Sequence, residues 1–159
     1  MSADDPFDLL KLVPSFGIDP AAVRRARVRA VATADEGSGD ATRWNDAQVA
    51  LLDPFSRAEI LLRRLGAPEV DRRLLPDGFL LEMIELREEA DAADAAGRAA
   101  LRARAEEARR AALGQVGAIF GAALQGSGLS VETTEDIWRG LNAARSFDRM
   151  IEQLDRESG

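Results

Sequence analysis

Phe79-Leu80-Leu81-Glu82-Met83-Ile84-Glu85-Leu86-Arg87-Glu88-Glu89 is the stretch that decides the fold class. At about 100° per residue, Phe79, Met83, Leu86 and Ala90 form one narrow apolar stripe, sufficient for a helix to face a bundle core. Leu80, Leu81 and Ile84 fall on a different sector, beside Glu88 and near Glu85, where a helix packed on one side should be polar. Two explanations stay open on periodicity alone. The second sector is buried against other helices of the bundle or the N-terminal unit, or it is an exposed apolar patch rimmed by acids, the usual form of a protein-binding site.

Helical pattern extends on both sides. Downstream, a helix starting near Gly78 continues to about residue 96, and Gly97 separates it from a long Ala/Arg/Glu-rich helix reaching about residue 124. Gly126-Ser127-Gly128 breaks that helix, and Thr133-Thr134-Glu135-Asp136 opens a last one running to about residue 157. Three long helices with short connections predict an antiparallel bundle over 78–159. Upstream, Pro68, Pro76 and Gly78 mark residues 67–77 as a connection between two units. Residues 1–66 contain three helix starts of one type: Asp5-Pro6, Asp19-Pro20 and Asp53-Pro54. Asp caps free backbone N–H groups, and Pro fits the first turn, where its missing donor costs nothing. These starts and the intervening pattern predict helices over about 6–12, 20–34, 41–52 and 54–65, with Gly66 as a C-terminal cap. The predicted fold class is all-α.

Composition agrees. Of 159 residues, 46% are hydrophobic and 31% charged, as a packed globular chain requires. Ala, Leu, Arg and Glu dominate, and unbranched side chains lose little rotamer freedom in a helix. His and Cys are absent, which excludes Ser-His-Asp and Cys-His catalysis, thiolate or imidazole zinc sites and disulfides. Only carboxylate-based metal or acid–base sites remain, and no spacing singles one out. No catalytic residue, metal or cofactor is expected, and the chain does not read as an enzyme. No run has the length of a membrane span, and the acidic start Met-Ser-Ala-Asp-Asp lacks a leader's charged and apolar regions, so a cytoplasmic protein is expected. The net charge of −7 argues against sequence-independent nucleic-acid binding, which needs a basic surface. The acidic excess sits in the bundle: residues 1–66 carry 10 Asp/Glu against 9 Lys/Arg, and residues 67–159 carry 18 against 12.

Three further groups have competing readings. Gly114, Gly117 and Gly121 lie three and four apart inside a helix, which favours close helix approach over a phosphate-binding loop. Trp138, Arg145 and Arg149 share a helical face, either a binding edge or, the favoured reading, a Trp packed under Arg stems. Arg24, Arg25, Arg27 and Arg29 make the second helix basic, as a solvated run or as a docking surface for an acidic partner. Arg27 is unusual in falling on the stripe of Val23, Ala30 and Ala34.

Several strings together resemble the HscB family of J-domain co-chaperones in iron–sulfur cluster assembly, over nearly the whole chain. The N-terminal likeness rests on Asp5-Pro6-Phe7-Asp8-Leu9-Leu10, Ser15-Phe16-Gly17-Ile18-Asp19-Pro20, Asn45-Asp46-Ala47 and the stretch 52–66, which opens Leu52-Asp53-Pro54-Phe55-Ser56-Arg57. The C-terminal likeness rests on residues 79–89 and 141–154. The resemblance implies a J-domain-like unit at 1–66, a linker at 67–77 and a three-helix scaffold-binding bundle at 78–159. It implies that the J-domain stimulates ATP hydrolysis by a DnaK-class chaperone (HscA in bacteria) and that the bundle binds an IscU-type iron–sulfur scaffold. The scaffold-binding positions of the family match Leu80, Leu81, Ile84, Glu85, Glu88 and Arg145, while a neighbouring aromatic position is Ser146 here. On the chaperone side the basic second helix, with Arg24, Arg25, Arg27 and Arg29, is expected to give weak electrostatic docking. The family's His-Pro-Asp is missing: an ungapped count places Asp35-Glu36-Gly37 there, and the interval to Asn45 is shortened. Scaffold binding is therefore implied, and chaperone activation is not. The alternative is a helical structural or oligomerisation module that buries Leu80, Leu81 and Ile84 in a self-interface.

Overall fold

Capping by a few side chains sets where each helix begins. The computed structural model describes residues 5–34 and 41–158, and among them all regular structure is helical. The helices are α1 Pro6–Leu9, α2 Pro20–Ala32, α3 Ala41–Leu52, α4 Pro54–Arg64, α5 Phe79–Ala92, α6 Ala95–Ala122 and α7 Val131–Glu157, with a π-helical turn at Ala123–Ser127 after α6. All three Asp-Pro starts cap as the sequence predicts. Asp5 accepts from the Phe7 N–H at 2.8 Å, Asp19 from Ala21 at 3.0 Å and Asp53 from Ser56 at 3.1 Å.

Several boundaries differ from the prediction. α1 stops at Leu9, because Lys11 turns left-handed (φ 54°) and the Leu12 N–H returns to the Phe7 carbonyl at 2.8 Å. That is the closing pattern usually built on glycine. Gly66 closes α4 in the same way, at φ 63°, with the Ala67 N–H on the Leu62 carbonyl at 2.9 Å. The break after α5 lies at Ala93 and Asp94 rather than at Gly97. The Asp94 side chain accepts from the Gly97 N–H at 2.8 Å, so α6 starts on that cap and Gly97 falls inside its first turn. α7 starts at Val131 because Ser130 and Thr133 form a reciprocal capping box.

The chain divides into two units, Met1–Ala67 with Phe120–Leu129 and Pro68–Ile119 with Ser130–Gly159. In the first unit α3 packs against α1, α2 and α4. Phe7, Val23, Leu51 and Leu61 are fully buried there. Phe16 stacks on Phe120 with ring centroids 5.5 Å apart. Arg57 locks this corner: its Nε donates to the Phe16 carbonyl and its Nη1 to the Leu51 carbonyl, both at 2.6 Å, with the guanidinium 4.9 Å over the Phe16 ring. Burial lowers the Arg57 pKa, and the Asp53 charge opposes that. Arg64 ties α4 to α1 through Asp5 at 3.0 Å and Asp8 at 3.2 Å. Burial opposes its charge, but the two carboxylates raise its pKa overall.

The second unit is a three-helix bundle with a core of Phe79, Leu86 and Ala90 from α5, Leu101 and Ala105 from α6, and Ala143, Phe147, Met150 and Leu154 from α7. Ion pairs order the helices. Arg98 meets Glu157, Arg102 meets Asp155 and Arg109 meets Asp148, so α6 and α7 run antiparallel. The two-residue break between α5 and α6, bridged by Arg104 to Glu89 at 3.0 Å, makes α5 antiparallel to α6 and therefore parallel to α7. Close approach of α6 and α7 falls at Gly140, where an added Cβ would lie 2.6 Å from Val116 Cγ2. Gly114 and Gly121, expected to permit such an approach, have open space around them. The stretch after Ala67 is pinned on α7. The Asn142 amide donates to the Arg72 and Leu74 carbonyls, both at 2.8 Å. The Arg72 guanidinium lies 5.3 Å over the buried Trp138 ring. Trp138 is thus packed under an Arg, one from upstream of α5.

Candidate functional site on α5

Helix α5 presents two different faces because its neighbours need only one of them. Phe79, Leu86 and Ala90 are buried, and Phe79 meets Phe147 edge-to-face at 5.5 Å. Met83 packs partly against the same core. The opposing surface of α6 is rich in small residues, Ala105, Ala108 and Ala112, so one stripe of larger side chains from α5 fills the space. The second sector stays outside. Leu80 is 67% exposed, Leu81 62% and Ile84 56%. Glu85 and Glu88 are exposed on the same helix. Three large apolar side chains within five residues of one helix, rimmed by carboxylates, form a surface that loses free energy when left in water and gains it on docking.

An open groove of ≈770 Å³ adjoins this patch between α5 and α7. Leu80, Ile84 and Glu88 line it from α5 and Ser146 and Arg149 from α7. Ser146 Oγ accepts from Arg149 Nη2 at 3.3 Å. Leu81 and Glu85 are not among the groove residues and flank it on α5. Arg145 is half-buried on α7 and does not line the groove either. Sequence reasoning singled out Ser146 and Arg149 on the α7 wall but missed Glu152, Gln153 and Arg156. Their signal was available, since Arg149, Glu152, Gln153 and Arg156 follow one another at helical i, i+3, i+4, i+7 spacing.

The basic cluster belongs to the other unit. Arg24, Arg25 and Arg29 are exposed on α2, with Arg25 3.9 Å from Asp19. Arg27 is half-buried and donates from Nε to Gln48 Oε1 on α3 at 2.8 Å, which accounts for its place on the inner stripe. Val23 and Ala26, rather than Ala30 and Ala34, are the buried residues of that helix. Asp35-Glu36-Gly37, where an ungapped count sets the His-Pro-Asp of HscB proteins, lie outside the described residues. Among the described residues no cluster of three or more Asp or Glu is placed to hold a metal ion, and no helix is long and apolar enough to cross a membrane.

Fold and surface together define a class: an all-α protein with a J-domain-like N-terminal unit and a helical C-terminal unit that displays an apolar face. No protein-family model matches the chain, and no curated protein sequence matches it either. Solved structures do. Chaperone HscB from Vibrio cholerae is 24% identical, with a TM-score of 0.69 and 96% of each chain covered. The human co-chaperone HscB is 20% identical, with a TM-score of 0.74, over 99% of this chain and 83% of that one. The Jac1 co-chaperone from Saccharomyces cerevisiae is 16% identical, with a TM-score of 0.70, over 95% of this chain and 92% of that one. The chain therefore has the HscB-type co-chaperone fold.

Proposed function

We propose that the chain is a non-enzymatic, cytoplasmic HscB-like co-chaperone or adaptor that binds an IscU-type iron–sulfur scaffold through α5. One observation carries this reading: Leu80, Leu81 and Ile84 stand exposed on a helix whose other face already completes the bundle core. Leu80, Leu81 and Ile84 supply apolar contact, and Glu85 and Glu88 select a basic rim on the partner. Arg145 contributes at the edge of that face. With no His or Cys, the chain holds the scaffold and leaves the cluster's ligation to it. On the chaperone side, Arg24, Arg25, Arg27 and Arg29 give electrostatic docking to a DnaK-class partner without ATPase stimulation.

Leu80→Ala combined with Ile84→Ala tests the central claim. Removing two exposed anchors should weaken scaffold binding by about tenfold or more. The circular dichroism spectrum should stay helical and the unfolding free energy within about 0.5 kcal/mol, since neither side chain is in the core. Unchanged affinity removes the proposal. A tight dimer in sedimentation, abolished by the same pair of substitutions, would favour a self-interface instead.

A further inference from the structure

Helix α5 fills the trough between α6 and α7 only from Phe79 onward. Beyond that end of α5 an open groove of ≈750 Å³ remains, between Ala112 and Ile119 on α6 and Asp136 and Ala143 on α7, with Pro76 and Asp77 at its foot. Its floor is made of small residues. Gly140 and Ala143 are buried along α7, and half-buried Ala112 adds only a methyl group from α6, so a further helix can come close. The rim is acidic. Asp77 is exposed and pairs with no cation among the described residues. At the other end Arg139 is held by Asp136 at 2.9 Å and by Glu135 at 4.0 Å, so two carboxylates face one guanidinium and the charge left over is negative. From Asp136 to Ala143 the groove follows α7 for about 10 Å, two helical turns.

One surface of the same chain has the complementary character. On α2, Arg24, Val28 and Val31 follow one another at i, i+4, i+7 and share a face apart from Val23 and Ala26, which are buried. Val28 is 59% exposed and Val31 43%. Arg24 and Arg29 are exposed and pair with no carboxylate among the described residues. An apolar strip of about two turns, with guanidinium groups beside it, thus stands uncovered on a helix whose inner face is already packed.

We infer that the α6–α7 groove receives α2 of a second copy of this chain, with Val28 and Val31 over the Gly140 and Ala143 floor and Arg24 and Arg29 against Asp77 and Asp136. Charge selects this occupant. Residues 67–159 carry 18 Asp/Glu against 12 Lys/Arg, whereas α2 carries four arginines and no acid. Opposite signs draw groove and helix together, and like signs keep groove from groove and α2 from α2. Two turns of helix bury little area, so the association is weak and depends on concentration. The arginines it covers are those proposed above to attract a DnaK-class chaperone, so an associated copy is withheld from that encounter. The exposed face of α5 takes no part.

Sedimentation velocity of the full chain at rising concentration tests this. The parent should associate reversibly, and less as salt is raised. Asp77→Lys with Asp136→Lys reverses the groove, and Arg24→Glu with Arg29→Glu reverses α2. Each variant should self-associate about tenfold or more weakly than the parent. All four side chains are exposed, so both variants should keep the parent's helical circular dichroism spectrum. Mixed in equal amounts, the two variants should associate again, because each supplies the surface that complements the other's. Leu80→Ala with Ile84→Ala should associate as the parent does. A parent that stays monomeric, self-association that survives either reversal, or a mixture that fails to associate overturns the inference. Loss of association in the Leu80→Ala, Ile84→Ala variant overturns it too, and places the self-interface on α5.

Discussion

A methyl group at Gly140 would lie 2.6 Å from Val116 Cγ2 and 3.3 Å from the Ala112 carbonyl oxygen. Neither neighbour yields easily. Valine is stiff at χ1, and the other atom is backbone of α6. Gly140→Ala should therefore push α7 away from α6 and lower the unfolding free energy by about 1–3 kcal/mol in urea titration. Gly114→Ala is the opposite case. Its Cβ would meet nothing within 4 Å, and alanine is the better helix former, so stability should rise by roughly 0.5–1 kcal/mol. A loss at Gly114 as large as that at Gly140 would show that the helices meet elsewhere. The sequence contains both glycines but not their difference. Helical spacing drew attention to 114, 117 and 121 because they repeat, whereas Gly140 stands alone, and only the packed helices show which glycine has a neighbour.

At the scale of the helices, what was legible is what depends on nearby residues. The three Asp-Pro starts, the Gly66 cap and the inward stripe of Phe79, Met83, Leu86 and Ala90 follow from capping and 3.6-residue periodicity, and the structure has them all. The break after α5 was misplaced because Gly97 reads as a stop while Asp94, three residues earlier, is the residue that caps. Whether Leu80, Leu81 and Ile84 are covered depends on α6 and α7, so periodicity had to leave it open. Long-range ion pairs were equally hidden. Arg102 grips Asp155 with Nε at 2.6 Å and Nη2 at 3.1 Å. The Arg102 hydrogen bonds, with its positive charge, hold the Asp155 carboxyl below its usual range, although burial opposes them. A lowered folded-state pKa means that the pair's contribution is present above the unfolded value, about 3.9 for Asp, and is lost as pH falls through the folded one. Asp155 is at the surface, so that contribution is small. Arg102→Gln should return the Asp155 titration to the ordinary carboxylate range in a carbon-detected NMR experiment. An unmoved midpoint would mean that another group sets it.

At the scale of the whole chain, the fold and the proposed activities rest on different residues. An HscB-type architecture is kept over at least 95% of the sequence at 24% identity or less, because helix lengths, caps and a buried stripe tolerate extensive substitution among apolar residues. Surface chemistry has no such tolerance. A docking face needs particular side chains outside, and Leu80, Leu81 and Ile84 are exposed on α5. A J-domain acts on its chaperone through a loop whose signature contains His, and this chain has no His anywhere. Basic residues on α2 supply long-range attraction, which speeds encounter but does not by itself change the partner's catalytic state. The chain should therefore give little or no increase in ATP turnover when mixed with a DnaK-class chaperone in a single-turnover assay. Any weak association should fall on raising the salt or on changing Arg24, Arg25 and Arg29 together to Glu. Strong stimulation would mean that a different group performs the role of the missing His. Asp35-Glu36-Gly37 would then be the first place to look, because an ungapped count sets that signature there.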